Sequence, residues 1–194
     1  MPFAEFSFEE DGEVFTDGSA LDSKAPCISV AAGAAVQVAS NGIQRTIVLP
    51  LPNEYPQHAV TAEHVAMSIA ALCAKAGAIN IITDCMTVKL GFEKLILKAW
   101  TPGYKDVHGG FWRQVSASHI KKVDKIKSHL TKEVGERDYP AGWWIGNNRA
   151  DICANMAAQQ DQASSGKEIV IYREDEDKAK RGIKSVVKFL AEQP

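Results

Sequence analysis

The order of the patterned segments constrains the fold of this 194-residue chain more than any single motif does. Three strand-like segments come first, at residues 14–19, 28–38 and 43–49, and the Asn41-Gly42 pair predicts a hairpin turn between the last two. Helical and strand-like segments then alternate to residue 160, in the order α-β-α-α-β-α. A meander followed by alternating elements predicts an α/β fold with a mixed five-stranded sheet flanked by helices.

The alternating part rests on six segments and one loop. Helices are predicted at residues 61–76, 86–100, 111–120 and 148–160. Strands are predicted at residues 78–82 and 123–128. Thr61 is the expected N-cap of the first helix, and a long loop is expected from about residue 129 to Gly146.

Composition and charge narrow the class of protein. We expect one domain at residues 13–160, with an N-terminal extension at 1–12 and a C-terminal extension at 161–194. The four scattered cysteines lack zinc-site spacing and indicate a reducing compartment. Because the N-terminus is acidic and no run of 18 apolar residues occurs, we expect an intracellular protein that is not secreted and has no membrane partner. A net charge of −2 argues against nucleic-acid binding through bulk charge.

Four acidic residues stand at special positions in this order of elements. Asp17 lies in or at the end of the first strand, Asp84 follows the strand at 78–82, and Glu63 and Asp151 fall in the first turns of predicted helices. Each has an ordinary explanation when taken alone, because acidic residues favour helix N-termini and begin turns. Carboxylates that are buried together repel one another unless cations neutralise them. The combination therefore indicates a Mg²⁺ site suited to phosphodiester chemistry.

The order of elements and five short motifs together resemble a type 1 ribonuclease H domain over residues 13–160. The motifs are TDGSA, TAEHVA, IITDC, IKSHLT and NNRADICA. The last two resemble the versions found in non-LTR retrotransposon polyproteins and in some standalone cellular enzymes. The resemblance implies an endoribonuclease, a monomer or part of a larger polyprotein, that hydrolyses the RNA strand of RNA–DNA hybrids. It implies two Mg²⁺ ions as cofactors, for which Mn²⁺ can substitute.

The resemblance also implies roles for individual residues. The metal ligands would be Asp17, Glu63, Asp84 and Asp151. His129 would assist product release or proton transfer. The residues that contact the hybrid would be Gly18, Ser19 and Ala20 after the first aspartate, and Asn147, Asn148 and Arg149 before the last. The interval between His129 and Asp151 is 22 residues, which is longer than is usual in the family.

Several alternatives stay open from the sequence. The chain could be an active ribonuclease, a catalytically weak or inactive nucleic-acid-binding module, or another nuclease of the same superfamily, such as an exonuclease or a junction resolvase. Trp143 and Trp144 could stack on a base or seal the loop onto the core. A strip of lysines could contact DNA phosphates or form an ordinary solvated surface; its members are Lys121, Lys122, Lys125, Lys127 and Lys132.

Overall fold

The computed structural model describes seven stretches of the chain: residues 6–9, 12–22, 29–38, 44–74, 79–95, 108–115 and 119–164. Several predicted features lie outside these residues. They are the Asn41-Gly42 turn, the last part of the helix predicted at 86–100, and nearly all of the C-terminal extension.

Five strands form one mixed sheet, which confirms the predicted fold class. In chain order they are β1 (Glu13–Leu21), β2 (Val30–Val38), β3 (Gln44–Pro50), β4 (Ile79–Thr83) and β5 (Ile120–Lys125). Their order across the sheet is β3-β2-β1-β4-β5. The pairs β1–β2 and β2–β3 are antiparallel, whereas β4 pairs in parallel with both β1 and β5.

Helices cover both faces of the sheet. They are α1 (Ala59–Leu72), α2 (Met86–Leu90) with a π-helical continuation (Gly91–Leu95), α3 (Gly109–Gln114), α4 (Lys132–Asp138) and α5 (Trp143–Ser164). On β1, Gly18 lies against α1, while Phe15 lies against Gly146 of α5. Since alternate residues of a strand point to opposite faces, α1 and α5 lie on opposite sides of the sheet. Among the described helices, none is long and apolar enough to cross a membrane.

Helix α1 lies unusually close to the sheet and is buried on nearly all sides from Thr61 to Ala71. Gly18 of β1 and Gly33 of β2 pair directly opposite each other beneath it. A Cβ on Gly18 would come within 2.3 Å of the Glu63 backbone nitrogen, and a Cβ on Gly33 within 2.7 Å of the Ala62 carbonyl oxygen. The two glycines therefore allow backbone-to-backbone packing that brings Glu63 next to β1.

The apolar core is divided by the sheet. The larger cluster includes Val14 and Ile81 on the α1 side, and a smaller one includes Phe15, Ile82 and Trp143 on the α5 side. Phe8, from the predicted N-terminal extension, is buried in the larger cluster, and its N–H donates to the Cys73 carbonyl at 3.0 Å. The domain boundaries themselves stay a prediction.

The start of α1 differs from the prediction. The N-cap is His58 rather than Thr61, because the His58 carbonyl already accepts a helical hydrogen bond from the Ala62 N–H at 3.0 Å. Thr61 is buried inside the helix instead. Glu63 consequently lies in the second turn of α1 and not in the first.

The boundaries around β5 were also predicted wrongly. Helix α3 ends at Gln114, whereas the sequence pattern predicted a helix as far as Ile120. Ile120 instead begins β5, because it pairs with Ile79 of β4. β5 therefore occupies residues 120–125 rather than 123–128. Pairing with the neighbouring strand determines this boundary, and the periodicity of the local sequence does not reveal such pairing.

The predicted loop before the last helix contains a helix of its own. Thr131 caps α4, and its side chain accepts a hydrogen bond from the Val134 N–H. After a turn at Gly142, which has a φ of 89°, α5 begins at Trp143 instead of residue 148. Asp151 therefore lies in the third turn of α5, where the favourable helix N-terminal charge does not explain it.

Candidate active site

The site forms at the point where β4 ends beside β1. The last residue of β4, Thr83, pairs in parallel with Thr16. Asp17 is therefore the first β1 residue beyond the paired segment, and Asp84 is the first residue beyond β4. This register places both carboxylates at one level of the sheet, at the carboxyl end of β4, where open α/β sheets collect ligand sites.

Helix α1 supplies the third carboxylate. The Thr83 hydroxyl donates a hydrogen bond to Glu63 Oε2 at 3.5 Å, and Thr83 Oγ1 accepts one from the Cys85 N–H at 3.0 Å. Thr83 is fully buried, so its hydroxyl has a fixed orientation. Glu63 is thus held by α1 on one side and by the end of β4 on the other.

These three carboxylates form a compact group that we call the acidic trio: Asp17, Glu63 and Asp84. One oxygen atom from each lies within 4.8 Å of those from the other two. Asp17 and Glu63 are each only 6% exposed, and Asp84 is half-buried. Among the residues that the structure describes, no lysine or arginine forms an ion pair with the trio.

Burial raises the pKa of every member of the trio. For Asp17, burial and then the charges of Asp84 and Asp151 raise the pKa to about 7. For Glu63, burial and then the charge of Asp17 raise the pKa well above its ordinary value. Burial also raises the pKa of Asp84, although a hydrogen bond with Glu63 and the nearby His129 oppose the shift. The trio is therefore costly to ionise in the protein alone.

A hard divalent cation fits this donor set. Its ligands would all be carboxylate oxygens, and its charge would replace the mutual repulsion of the trio with attraction. The burial and crowding that raise these pKa values are the conditions that such a cation relieves. The trio thus has the composition and spacing of a divalent-metal site.

A cleft of about 60 Å³ adjoins the trio and is lined by the residue that follows β4, by the segment between β5 and α4, and by α5. Its lining residues are Asp84, Ile126, Lys127, His129, Leu130, Trp144, Asn147, Asn148 and Asp151. Asp84 therefore shares one cleft with four other residues that the sequence predicted for the site: His129, Asn147, Asn148 and Asp151. The charge of Asp151 raises the pKa of Asp17 and of Asp84, although its carboxylate is not part of the trio.

Comparison with known proteins identifies the architecture. No protein-family model matches the sequence, and no curated protein is significantly similar to it. Among solved structures, the ribonuclease H domain of a foamy virus (PFV) matches with a TM-score of 0.59 and 21% identity, over 78% of this chain and 96% of that domain. The chain has a ribonuclease H-like fold.

Two further structures share the ribonuclease H-like fold. The protease–reverse transcriptase of prototype foamy virus matches with a TM-score of 0.57 and 22% identity, over 77% of this chain and 21% of that protein. LC9-RNase H1, described as a type 1 RNase H with the type 2 active-site motif, matches with a TM-score of 0.53 and 13% identity, over 79% and 75% of the two chains. At these identities the likeness is one of fold.

Four of the predicted substrate residues do not line the cleft. Gly18 packs under α1, and Ala20 packs against the larger core cluster. Ser19 is half-buried on β1. Arg149 is half-buried on α5 near Cys153, and it does not line the cleft. Contact of these four residues with a hybrid stays a prediction.

Sequence reasoning missed one residue of the site, Thr83, and placed Trp144, which it considered for stacking or sealing, in a loop instead of in α5. Thr83 was not singled out, although a polar residue at the end of the apolar run IIT, directly before Asp84, is a signal that could have been used. Trp144 was assigned to a loop, but its ring lines the cleft and its indole N–H donates to the Leu130 carbonyl at 2.9 Å. Trp143 does seal the segment onto the core, since it is buried and its indole N–H donates to Glu13 Oε1 at 2.8 Å.

Proposed function

We propose that this chain is a metal-dependent endoribonuclease that hydrolyses the RNA strand of RNA–DNA hybrids. The observation that carries the proposal is the acidic trio at the end of β4 in a ribonuclease H-like fold. The foamy viral protease–reverse transcriptase, which shares this fold with a TM-score of 0.57, has been solved in complex with an RNA/DNA hybrid. That complex supports the hybrid as the class of substrate.

Asp17, Glu63 and Asp84 would hold Mg²⁺, with Mn²⁺ as a substitute, and Asp151 would help to hold a second ion from the cleft. Two bound ions of this kind supply activation of the attacking water and stabilisation of the leaving 3′-oxygen. The protein's own residues would position the metal ligands. The strand register sets Asp17 beside Asp84, and the Thr83 hydroxyl orients Glu63.

The cleft residues would act on the substrate and product. His129 is exposed at the cleft beside Asp84, and its imidazole would give a proton to the leaving oxygen or assist product release. Asn147 also lines the cleft and would contact the hybrid there; its Oδ1 is buried and accepts no hydrogen bond from the described residues. Lys127 also lines the cleft and would contact a backbone phosphate.

A cleavage panel tests the proposal. The substrates are a labelled RNA–DNA hybrid, single-stranded RNA, duplex RNA, duplex DNA and a four-way junction, each with Mg²⁺ and with Mn²⁺. We expect cleavage of the hybrid alone, reduced about 100-fold or more in Asp84→Asn and in Asp151→Asn because metal ligation is lost. The matched control is Asp161→Asn, which changes a carboxylate of the same helix α5 outside the cleft and should cleave as the wild type does.

Each other outcome identifies an alternative. Hybrid binding without cleavage by the folded protein would favour the non-catalytic binding module. Cleavage of the junction or of duplex DNA would favour another nuclease of the superfamily. Cleavage by Asp84→Asn at the wild-type rate would refute the metal site. The monomeric state and an origin in a retrotransposon polyprotein stay predictions, which sedimentation and genomic context can test.

A further inference from the structure

The residues between β5 and α4 form a short loop that carries His129. We call residues 127–130 the His129 loop. His129 has a φ of 50°, a left-handed conformation that a non-glycine residue adopts only at some cost in energy. Its side chain is exposed at the cleft, so packing of the imidazole does not hold this conformation. Contacts to the backbone of the loop must therefore maintain it.

Among the residues that the structure describes, two side chains hydrogen-bond to the backbone of the His129 loop, one on each side of His129. The Lys127 N–H donates to the Tyr139 hydroxyl at 3.1 Å. The Trp144 indole N–H donates to the Leu130 carbonyl at 2.9 Å. Tyr139 directly follows α4, and Trp144 is the second residue of α5, so both belong to the segment that lengthens the interval between His129 and Asp151.

The two contacting side chains are themselves held by neighbouring residues, Trp144 by α4 and Tyr139 by the core. Gly135 of α4 lies so close to Trp144 that a Cβ there would come within 2.5 Å of the indole ring. The Tyr139 ring stacks on Trp143, with a centroid distance of 6.3 Å and an interplanar angle of 24°. Trp143 in turn is buried and is hydrogen-bonded to Glu13 at the start of β1. The loop is thus tied to the same strand that carries Asp17.

We propose that Tyr139 and Trp144 are positioning residues that hold His129 at the cleft beside Asp84. The inference rests on the proposed function, since it assigns to the α4 segment the task of placing the histidine used in that reaction. Loss of both hydrogen bonds would release the backbone on either side of His129. The exposed imidazole would then occupy the productive position for a smaller share of the time.

The kinetic test uses the full chain with Tyr139→Phe and Trp144→Phe, singly and together, in the wild-type and in a His129→Asn background. Tyr139→Phe removes only the hydroxyl that accepts the hydrogen bond, whereas Trp144→Phe removes the indole N–H together with part of the ring that packs on Gly135. Asparagine tolerates the left-handed conformation. We expect kcat on the hybrid to fall about 5-fold per lost hydrogen bond, with KM changed less than about 2-fold. In the His129→Asn background, the same substitutions should cause no further loss.

The matched control is Phe8→Leu, which removes an aromatic ring from the larger core cluster and touches neither Tyr139 nor Trp144. It should lower the thermal midpoint while kcat stays near the wild-type value. An equal fractional loss of kcat in the wild-type and His129→Asn backgrounds would overturn the proposal, because the two residues would then act on the fold in general.

A second measurement does not depend on activity. Hydrogen–deuterium exchange at the Lys127 amide, whose partner is the Tyr139 hydroxyl, should be faster in Tyr139→Phe than in the wild type and unchanged in Phe8→Leu. Unchanged exchange in Tyr139→Phe would overturn the proposal whatever the activity. If the wild type does not cleave hybrids but the exchange behaves as expected, the proposed function fails while the anchoring of the loop stands.

Discussion

Replacing Asp17 with asparagine is expected to stabilise the metal-free protein at neutral and alkaline pH, even though it removes a proposed metal ligand. Asp17 is only 6% exposed and lies within 4.8 Å of two other carboxylates. Burial and the charges of Asp84 and Asp151 raise its pKa from 3.8 to about 7. Asparagine has nearly the same shape and carries no charge at any pH, so it escapes this cost.

The sign and the size follow from the two pKa values. Between pH 4 and pH 7 the folded state retains the proton that the unfolded state has released, so the free energy of unfolding falls as pH rises. The destabilisation is absent below the unfolded pKa and complete above the folded one. At about 1.4 kcal/mol per pKa unit it amounts to about 4 kcal/mol at most. Of this, about 3 kcal/mol develops between pH 5 and pH 8.

Urea unfolding in EDTA at pH 5 and pH 8 measures the effect. From pH 5 to pH 8 the free energy of unfolding of the wild type should fall by about 3 kcal/mol more than that of Asp17→Asn. Asp161→Asn should behave as the wild type. Mg²⁺ added at pH 8 should raise the free energy of unfolding of the wild type more than that of Asp17→Asn, because the cation stabilises only a folded state that binds it. Equal pH dependence of wild type and Asp17→Asn in EDTA would refute the reasoning about the buried carboxylates.

Three other substitutions test the packing and the support of the site. Gly33→Ala should lower the free energy of unfolding, measured with urea, by about 2 kcal/mol, because the new methyl group meets the backbone of α1. If the variant is as stable as the wild type, α1 can move away from the sheet. Thr83→Val should weaken Mg²⁺ affinity about tenfold in calorimetric titration, because Glu63 loses its hydrogen bond, and unchanged affinity would contradict that role. Thr131→Ala should cost about 1 kcal/mol through loss of the α4 cap, seen as a lower thermal midpoint; an unchanged midpoint would mean that packing alone holds α4.

The parts of the fold that were predicted correctly are those with long or regular sequence patterns. The strands predicted from the three-strand meander and from the apolar run before Asp84 lie close to the observed β1 to β4. Asp84 was correctly placed after β4, because a short apolar run that ends in a polar residue marks a strand end locally. Glu63 and Asp151 were assigned to the correct helices but to the wrong turns.

The parts that were predicted wrongly depend on contacts that periodicity does not record. β5 begins at Ile120 because β4 offers a partner there, although the sequence pattern continues a helix across that residue. Helix α4 is only seven residues long and exposes most of them, so it carries almost no apolar pattern. Its stability comes from the Thr131 cap and from Gly135 packed on Trp144.

The sequence by itself determined the class of fold and the residue types that could carry the chemistry, because strand, helix and turn patterns are set by near neighbours along the chain. Only the tertiary structure decided that Asp17, Glu63 and Asp84 converge within 4.8 Å, while Asp151 stays at the side of the cleft. That convergence depends on the close approach of α1 over Gly18 and on the register of β4 against β1. Both are contacts between residues far apart in the chain, and no local pattern encodes their distances.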